Sequence, residues 1–312
     1  MMPDDCPYLY DAASLAAVGR RDLQEDTLAM HFPAGSGLGY IVLADGMGGH
    51  SAGDVASKIV VETFFHELRD HIGQPEVLER NIGAVLRQAM QEANQRVNQQ
   101  VSARPDQRGM GATLVAPVIL SNRLYWISVG DSPLYLLRGE KLMRLNHEHS
   151  MARRLNHQVK RGLISHMQAE QNPDRHCLTS VLFGHDVPEI DCRDRPLDLK
   201  AGDILVVASD GLLVLDETRI AALVYQYRDQ TSAEISARLL HEIREHDDPD
   251  QDNVTLCVVK VGAGQVAVRQ AELPAARAVS SRPTPPRRTT IQMQIQRNGT
   301  KVYNFYSSES EG

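Results

Sequence analysis

The sequence predicts an α+β fold of four layers, α-β-β-α, with two packed antiparallel sheets and antiparallel helices over their outer faces. Three observations predict it. Short apolar, partly β-branched runs recur along the chain, bounded by turn residues. Two long amphipathic segments follow the third such run, and two more precede the last. Between these helix pairs the apolar runs follow one another closely, as antiparallel strands joined by short turns require.

In chain order, residues 12–19 and 26–32 read as strands around the polar turn from Arg20 to Asp26. The third run, Tyr40-Ile41-Val42-Leu43-Ala44, is cut off by Asp45 and followed by Gly46, Gly48 and Gly49. Those glycines let the backbone turn with its carbonyls uncovered. Ser51 is the expected N-cap of a helix marked by Val55, Ile59, Val60, Phe64, Leu68 and Ile72. Residues 76–103 repeat that spacing from Ile82 to Val101 and read as a second helix. Strands are expected at 112–120, 123–130 and 133–138, turning at Asn122 and Gly139. Residues 146–176 are polar, with short helical patterns near 149–156 and 166–171, which suits a mobile flap. Strand-like runs return at 177–182, 187–195 and 203–209, before helices at 217–227 and 232–245 and a last strand at 253–261.

The body therefore spans residues 1–261. Residues 262–289, rich in Pro, Arg, Ser, Thr and Ala, form a flexible linker. In the tail, 290–312, alternation around Asn298-Gly299 predicts a two-residue β-hairpin with Ile295 opposite Val302 and Ile291 opposite Tyr306. A lone hairpin is barely stable in water, so it is expected to dock on a sheet edge of the body or of a partner. Arg287-Arg288-Thr289-Thr290 has the form of a target for a basic-directed kinase.

Composition excludes several classes. Residues 262–312 carry seven Lys/Arg against three Asp/Glu, which leaves the body with 26 against 37. Such an acidic body is a poor general binder of nucleic acid. No apolar stretch approaches a membrane span, and the N-terminus lacks the basic start and apolar core of a signal peptide. Cys6, Cys177, Cys192 and Cys257 form no regular framework and read as reduced thiols of a cytoplasmic protein.

The chemistry lies in the acids at strand ends. Asp45-Gly46 closes one apolar run, Asp210-Gly211 closes the run from Ile204, and Asp252 opens the run from Val254. Strands of alternate direction would gather these three carboxylates at one end of a sheet, where they repel strongly unless cations neutralise them. Oxygen donors of this kind suit a hard divalent cation.

In order along the chain come Arg21 with Gln24-Glu25-Asp26, then Asp45-Gly46-Met47-Gly48-Gly49-His50, then Gly109-Met110-Gly111-Ala112-Thr113. Val129-Gly130-Asp131-Ser132, Ser209-Asp210-Gly211-Leu212 and Asp252-Asn253 follow. In these six motifs residues 12–261 resemble the metal-dependent Ser/Thr protein phosphatases of the protein phosphatase 2C type, in their bacterial branch. The resemblance implies two Mn²⁺ or Mg²⁺ ions at one end of a β-sandwich. Asp45 would bridge them, the Gly46 carbonyl would ligate one, and Asp210 and Asp252 would hold the other. Glu25 would act largely through metal-bound water, and Arg21 would grip the phosphate with its planar fork. The implied reaction is hydrolysis of phosphoserine and phosphothreonine in proteins by metal-activated water, with a cognate Ser/Thr kinase as the opposing partner in signalling.

Asp131 reads either as a ligand of a third ion or as a structural turn acid, since Pro133 and Leu213-Val214 depart from the pattern. Asp26 is expected to orient its neighbours, and Arg20 to be a solvated charge. A metal-bound water is favoured as proton donor to the leaving alkoxide over His50, and His149 is read as an anchor at the root of the flap. Two other readings stay open: an inactive regulatory binding module of the same fold, and a hydrolase of small phosphate esters.

Overall fold

The computed structural model describes residues 8–33, 36–48, 52–175, 177–263, 290–295 and 301–306. The expectations for Cys6, Gly49, His50, Ser51, His176, the linker after Ala263 and the basic-threonine string up to Thr289 lie outside the described residues.

The first elements are β1 (Tyr8–Ala17), β2 (Asp26–His31), β3 (Leu38–Met47), α1 (Ala52–His71), α2 (Pro75–Arg80) and α3 (Ile82–Ala103). A β-rich middle follows: β4 (Gly111–Ala112), β5 (Leu114–Leu120), β6 (Arg123–Val129), β7 (Leu134–Arg138) and β8 (Lys141–Arg144). Then come α4 (Met151–Lys160), α5 (His166–Glu170), β9 (Asp191–Asp198), β10 (Ile204–Ala208), α6 (Glu217–Gln226), α7 (Ser232–His246) and β11 (Val254–Ala263). The tail holds β12 (Thr290–Ile295) and β13 (Lys301–Tyr306).

One sheet runs β1-β11-β10-β7-β8 and the other β2-β3-β5-β6-β9, with β4 paired to β3. All the pairs are antiparallel. Strand alternation sorts the side chains between a seam and two outer layers. Ile41, Leu43, Val115, Leu136, Val207 and Val259 fill the seam between the sheets. Tyr40, Val42 and Ala44 face the other way, against Val60, Phe64, Leu86 and Met90 of α1 and α3. On the far side Val206, Ala208 and Val258 pack under Ile220, Val224 and Leu239 of α6 and α7. These are the four predicted layers.

Several boundaries differ from expectation. The helix predicted over 76–103 is two, because Asn81 leaves the helical conformation at φ −115° and its Nδ2 donates to the Val77 carbonyl at 2.9 Å. The strand runs expected at 177–182 and 187–195 are absent before Asp191. Leu178 and Leu182 make only isolated bridges, to Ser150 and Ala112, while left-handed Gly184 (φ +83°) and Pro188 interrupt the extended chain. Residues 141–144, not anticipated, form β8. In the tail the hairpin register is shifted by one, with Ile295 opposite Lys301 and Ile291 opposite Phe305. The turn residues themselves lie outside the described residues. Among the described residues β12 and β13 pair only with each other, and β13 runs near β1 and β2.

Cys177, Cys192 and Cys257 are free thiols. Among the described residues no helix is long and apolar enough to cross a membrane.

Candidate metal centre

The chain leaves β1 in one sheet and enters β2 in the other through residues 18–25, and this crossing is fastened to residues 251–253. Gly19 sits at φ +67° so close to the other segment that a Cβ would lie 2.2 Å from the Asp252 carbonyl oxygen, so only glycine fits. Arg20 donates its backbone N–H to Gln251 O at 2.8 Å. Asn253, buried, accepts the Glu25 N–H at Oδ1 (2.7 Å) and donates through Nδ2 to Val18 O (2.8 Å) and Leu23 O (2.9 Å). One side chain thus sets the backbone that carries Arg21 and Glu25.

The other side of the centre is set from β3. Asp26 stands opposite Asp45 in the β2–β3 register, and Gly46 donates its N–H to Glu25 O at 3.2 Å. The Glu25 carboxylate accepts the N–H of Gly53 at the start of α1. Thr113 brackets Asp45: its N–H donates to Asp45 O at 2.8 Å, and its Oγ1 accepts the Asp45 N–H at 2.9 Å. Because β10 and β11 are antiparallel with Ala208 opposite Leu256, Asp210 just after the one lies beside Asp252 just before the other.

Arg21, Glu25, Asp45, Gly46, Asp131, Asp210 and Asp252 all line one open pocket of about 660 Å³. Every residue proposed for the centre from the sequence is therefore brought together. Its far wall is built by residues 177–188, including Phe183 and Asp186.

The pocket is a site of concentrated negative charge. Burial pushes Asp45 well above the ordinary carboxylate range, and Asp26, Asp210, Asp131 and Asp252 push it further. Asp210 is raised by burial and then by Asp252, against a hydrogen bond from the Asp45 carboxyl. Asp26 is pushed up to about 7 by burial and by the charges of Asp210 and Asp252, despite its bond from Ser209. Asp131 also rises to about 7 through burial and Asp210, with Arg144 pulling the other way. Glu25 is raised by burial and by Asp54 and Asp252, and the Gly53 N–H opposes the shift.

Two oxygens, Oδ1 of Asp210 and Oδ1 of Asp26, are buried without a hydrogen-bond partner. Unsatisfied acceptor oxygens among mutually repelling carboxylates fit divalent cations with oxygen ligands. Among the described residues no three acids are yet drawn tightly around one point. Arg21 donates from Nη2 to Asp252 Oδ2 at 2.7 Å, so one candidate ligand is engaged by the candidate phosphate grip.

Arg20 is not merely solvated, since it pairs with Asp247 at 2.6 Å on the surface. His149 is buried and accepts the Gly130 N–H at Nδ1 (3.1 Å), while its own N–H donates to Gly130 O. Burial lowers its pKa, in keeping with a neutral acceptor ring at the foot of α4. Asp26 accepts from Ser209 Oγ at 2.7 Å, which ties β2 to the Asp210 turn across the two sheets. Sequence reasoning gave no role to Asn253, Thr113 or Ser209. All three stand within the motifs beside a candidate ligand, and that adjacency was the available signal.

A family model described as protein phosphatase 2C matches residues 18–245. The chain belongs to the protein phosphatase 2C family. It is 35% identical over 229 residues to the serine/threonine protein phosphatase PstP of Mycobacterium tuberculosis, covering 72% of this chain and 41% of that protein. The chain thus spans less than half the length of this curated relative. The crystal structure of the Mycobacterium tuberculosis phosphatase PstP/Ppp superposes with a TM-score of 0.65 at 31% identity, over 82% of this chain and 99% of that one. The catalytic domain of PstP in complex with two manganese ions gives 0.63 at 30% identity, over 82% and 98%.

Proposed function

We propose that this chain is a protein-serine/threonine phosphatase that removes phosphate from phosphoserine and phosphothreonine with two Mn²⁺ or Mg²⁺ ions. The observation that carries it is the meeting of Asp45, Asp210 and Asp252 with Glu25 and Arg21 in one open pocket, with an orphaned Asp210 oxygen inside it. Support comes also from the relatives, which are named serine/threonine phosphatases, one of them in complex with two manganese ions.

Asp45 and the Gly46 carbonyl would hold one cation, with Glu25 contributing largely through water, and Asp210 and Asp252 would hold the other. Asp131 is the acid available to a third. When bound, such ions supply Lewis-acid charge that acidifies water and screens phosphate oxygens. The chain's own residues do the rest. Arg21 turns its fork from Asp252 to the phosphate oxygens, which fixes the phosphorus against the centre. Thr113 and Asn253 hold the backbone of Asp45 and Glu25 still while charge changes in the pocket. The leaving alkoxide would take its proton from water acidified by the ions, the donor favoured from the sequence.

The catalytic unit is residues 1–261, with 146–176 as the flap, 262–289 as a linker and 290–312 as a tail that docks on the body or on a partner. A cognate kinase supplies the phosphoproteins, in the cytoplasm. The decisive experiment is turnover of a phosphothreonine peptide with Mn²⁺, with and without chelator, in the parent chain and in Asp210→Asn. Loss of more than about 100-fold with an unchanged circular dichroism spectrum is expected, since a ligand should matter more than the 10–100-fold typical of outer partners. Equal rates in the two proteins overturn the assignment.

A further inference from the structure

Beside the catalytic pocket lies a second depression of about 490 Å³, between α3 and residues 184–186. Gln91, Asn94, Gln95 and Asn98 form its helical wall, at positions i, i+3, i+4 and i+7 of one stripe. The opposite wall is Gly184, His185 and Asp186, and Asp186 lines the catalytic pocket as well. Asp186 is the residue the two spaces share.

A primary amide presents a donor and an acceptor side by side and so matches a peptide backbone. Asn94 already does this within the fold. Its Oδ1 accepts the Gly184 N–H at 2.7 Å, and its Nδ2 donates to His185 O at 2.6 Å. Gly184 lies so close to the helix that a Cβ would sit 2.6 Å from Asn98 Cα, and this holds the wall against α3. Gln91 and Gln95, both exposed, have no side-chain partner among the described residues and offer the same chemistry to a chain from outside. Asp186 is also exposed, and among the described residues it has no ion pair and neither Lys nor Arg lines the groove.

We propose that this groove is a substrate subsite for the extended peptide flanking the phosphorylated residue, in which Gln91 and Gln95 bind backbone amides and Asp186 pairs with a flanking lysine or arginine. The inference rests on the phosphatase reading. A phosphorylated side chain anchored in the pocket must send its backbone out across the rim, and Asp186 stands where rim and groove meet. The acidic body adds a general preference for basic segments.

The test uses the whole chain with Mn²⁺ and three substrates: a phosphothreonine peptide with arginine on both sides of the phosphoresidue, the same peptide with alanines there, and p-nitrophenyl phosphate, which reports on the catalytic pocket alone. The parent is expected to favour the arginine peptide in kcat/KM by about fivefold, the scale of one partly exposed ion pair. Asp186→Asn is expected to abolish that preference. The Gln91→Ala/Gln95→Ala variant is expected to lower the ratio of peptide to aryl phosphate kcat/KM for both peptides, chiefly through KM. Retention of the arginine preference by Asp186→Asn overturns the proposal, as does an unchanged ratio in the double variant. A parent that hydrolyses the aryl phosphate but does not distinguish the peptides overturns the groove alone. A parent inert toward all three substrates overturns the phosphatase reading itself.

Discussion

The floor of the pocket and its far wall are built by opposite means. On the floor, each acid sits on a strand end or on a turn whose backbone is bonded to another segment. Glu25 is held by Asn253, Gly46 and Gly53, and Asp45 is held twice by Thr113. The wall, residues 177–190, has no strand of its own and meets its neighbours through isolated bridges, the Asn94 amide, the Thr179 N–H to His149 O and the Arg154–Glu189 ion pair, while Ser180 and Glu189 bond to each other within it. Its side chains Phe183 and Ile190 are partly exposed, at 39% and 38%. Charge placement demands fixed geometry, while contact with varied peptides tolerates a surface that shifts. The difference is that the acids are each braced by backbone and side-chain bonds from other segments, while the wall is held by a few bonds and no strand ladder.

The largest effect that would sharpen this contrast is expected on the floor. Asn253→Ala removes three hydrogen bonds from the 18–25 crossing and leaves the Glu25 N–H without its acceptor. Destabilisation of about 2 kcal/mol in urea melts is expected, together with a 10–100-fold loss of Mn²⁺-dependent turnover. Unchanged turnover would show that the floor does not need its brace.

Gly53→Ala comes next. A Cβ there would lie 2.5 Å from Glu25 Oε1 and 2.9 Å from the Gly46 carbonyl carbon, so Glu25 must move. Helix propensity alone would stabilise α1 by about 1 kcal/mol. Weaker Mn²⁺ binding by titration calorimetry, with an undiminished melting temperature, is the expected outcome. Equal Mn²⁺ affinity would place Glu25 outside the centre.

A third measurement concerns pH. Asp26 and Asp131, with folded values of about 7, have ordinary values of 3.8. Groups raised on folding contribute stability that is whole below the ordinary value and is lost as pH rises through the folded one. In chelator these two acids therefore destabilise the chain progressively from about pH 4 to about pH 7. Mn²⁺ favours their ionised forms, so the gap in melting temperature between loaded and chelated protein should widen from pH 5 to pH 8. A constant gap would mean that the floor carries no strain of like charge.

The smallest effect is expected away from the floor. Leu163 and Met167, on the flap, are 62% and 67% exposed. Replacing both by serine should change stability by less than about 0.5 kcal/mol in the same melts. A larger loss would mean that the flap is packed as firmly as the floor.

The legible part of this molecule follows the same division. Asp45, Asp210 and Asp252 could be read from the chain because an acid ending or opening an apolar run announces both the strand and the exposed end. The outer helices were legible because α1, α3, α6 and α7 each bury a single stripe. Asn253 was not, because its three bonds reach residues more than two hundred positions away. The break at Asn81 and the missing strand before Asp191 depend on one amide and on one glycine with a proline, signals that periodicity averages out. The tail hairpin was found with its register displaced by one from the pairing that a two-residue turn at Asn298-Gly299 implies.

The crossing at residues 18–25 passes from one sheet to the other while carrying Arg21 and Glu25, and Gly19 is wedged against the segment that opens β11. Sliding of one sheet over its neighbour would drag both side chains out of place. Turnover in this protein should therefore fade in step with the melting of the whole sandwich, without a window in which the catalyst fails inside an intact shell.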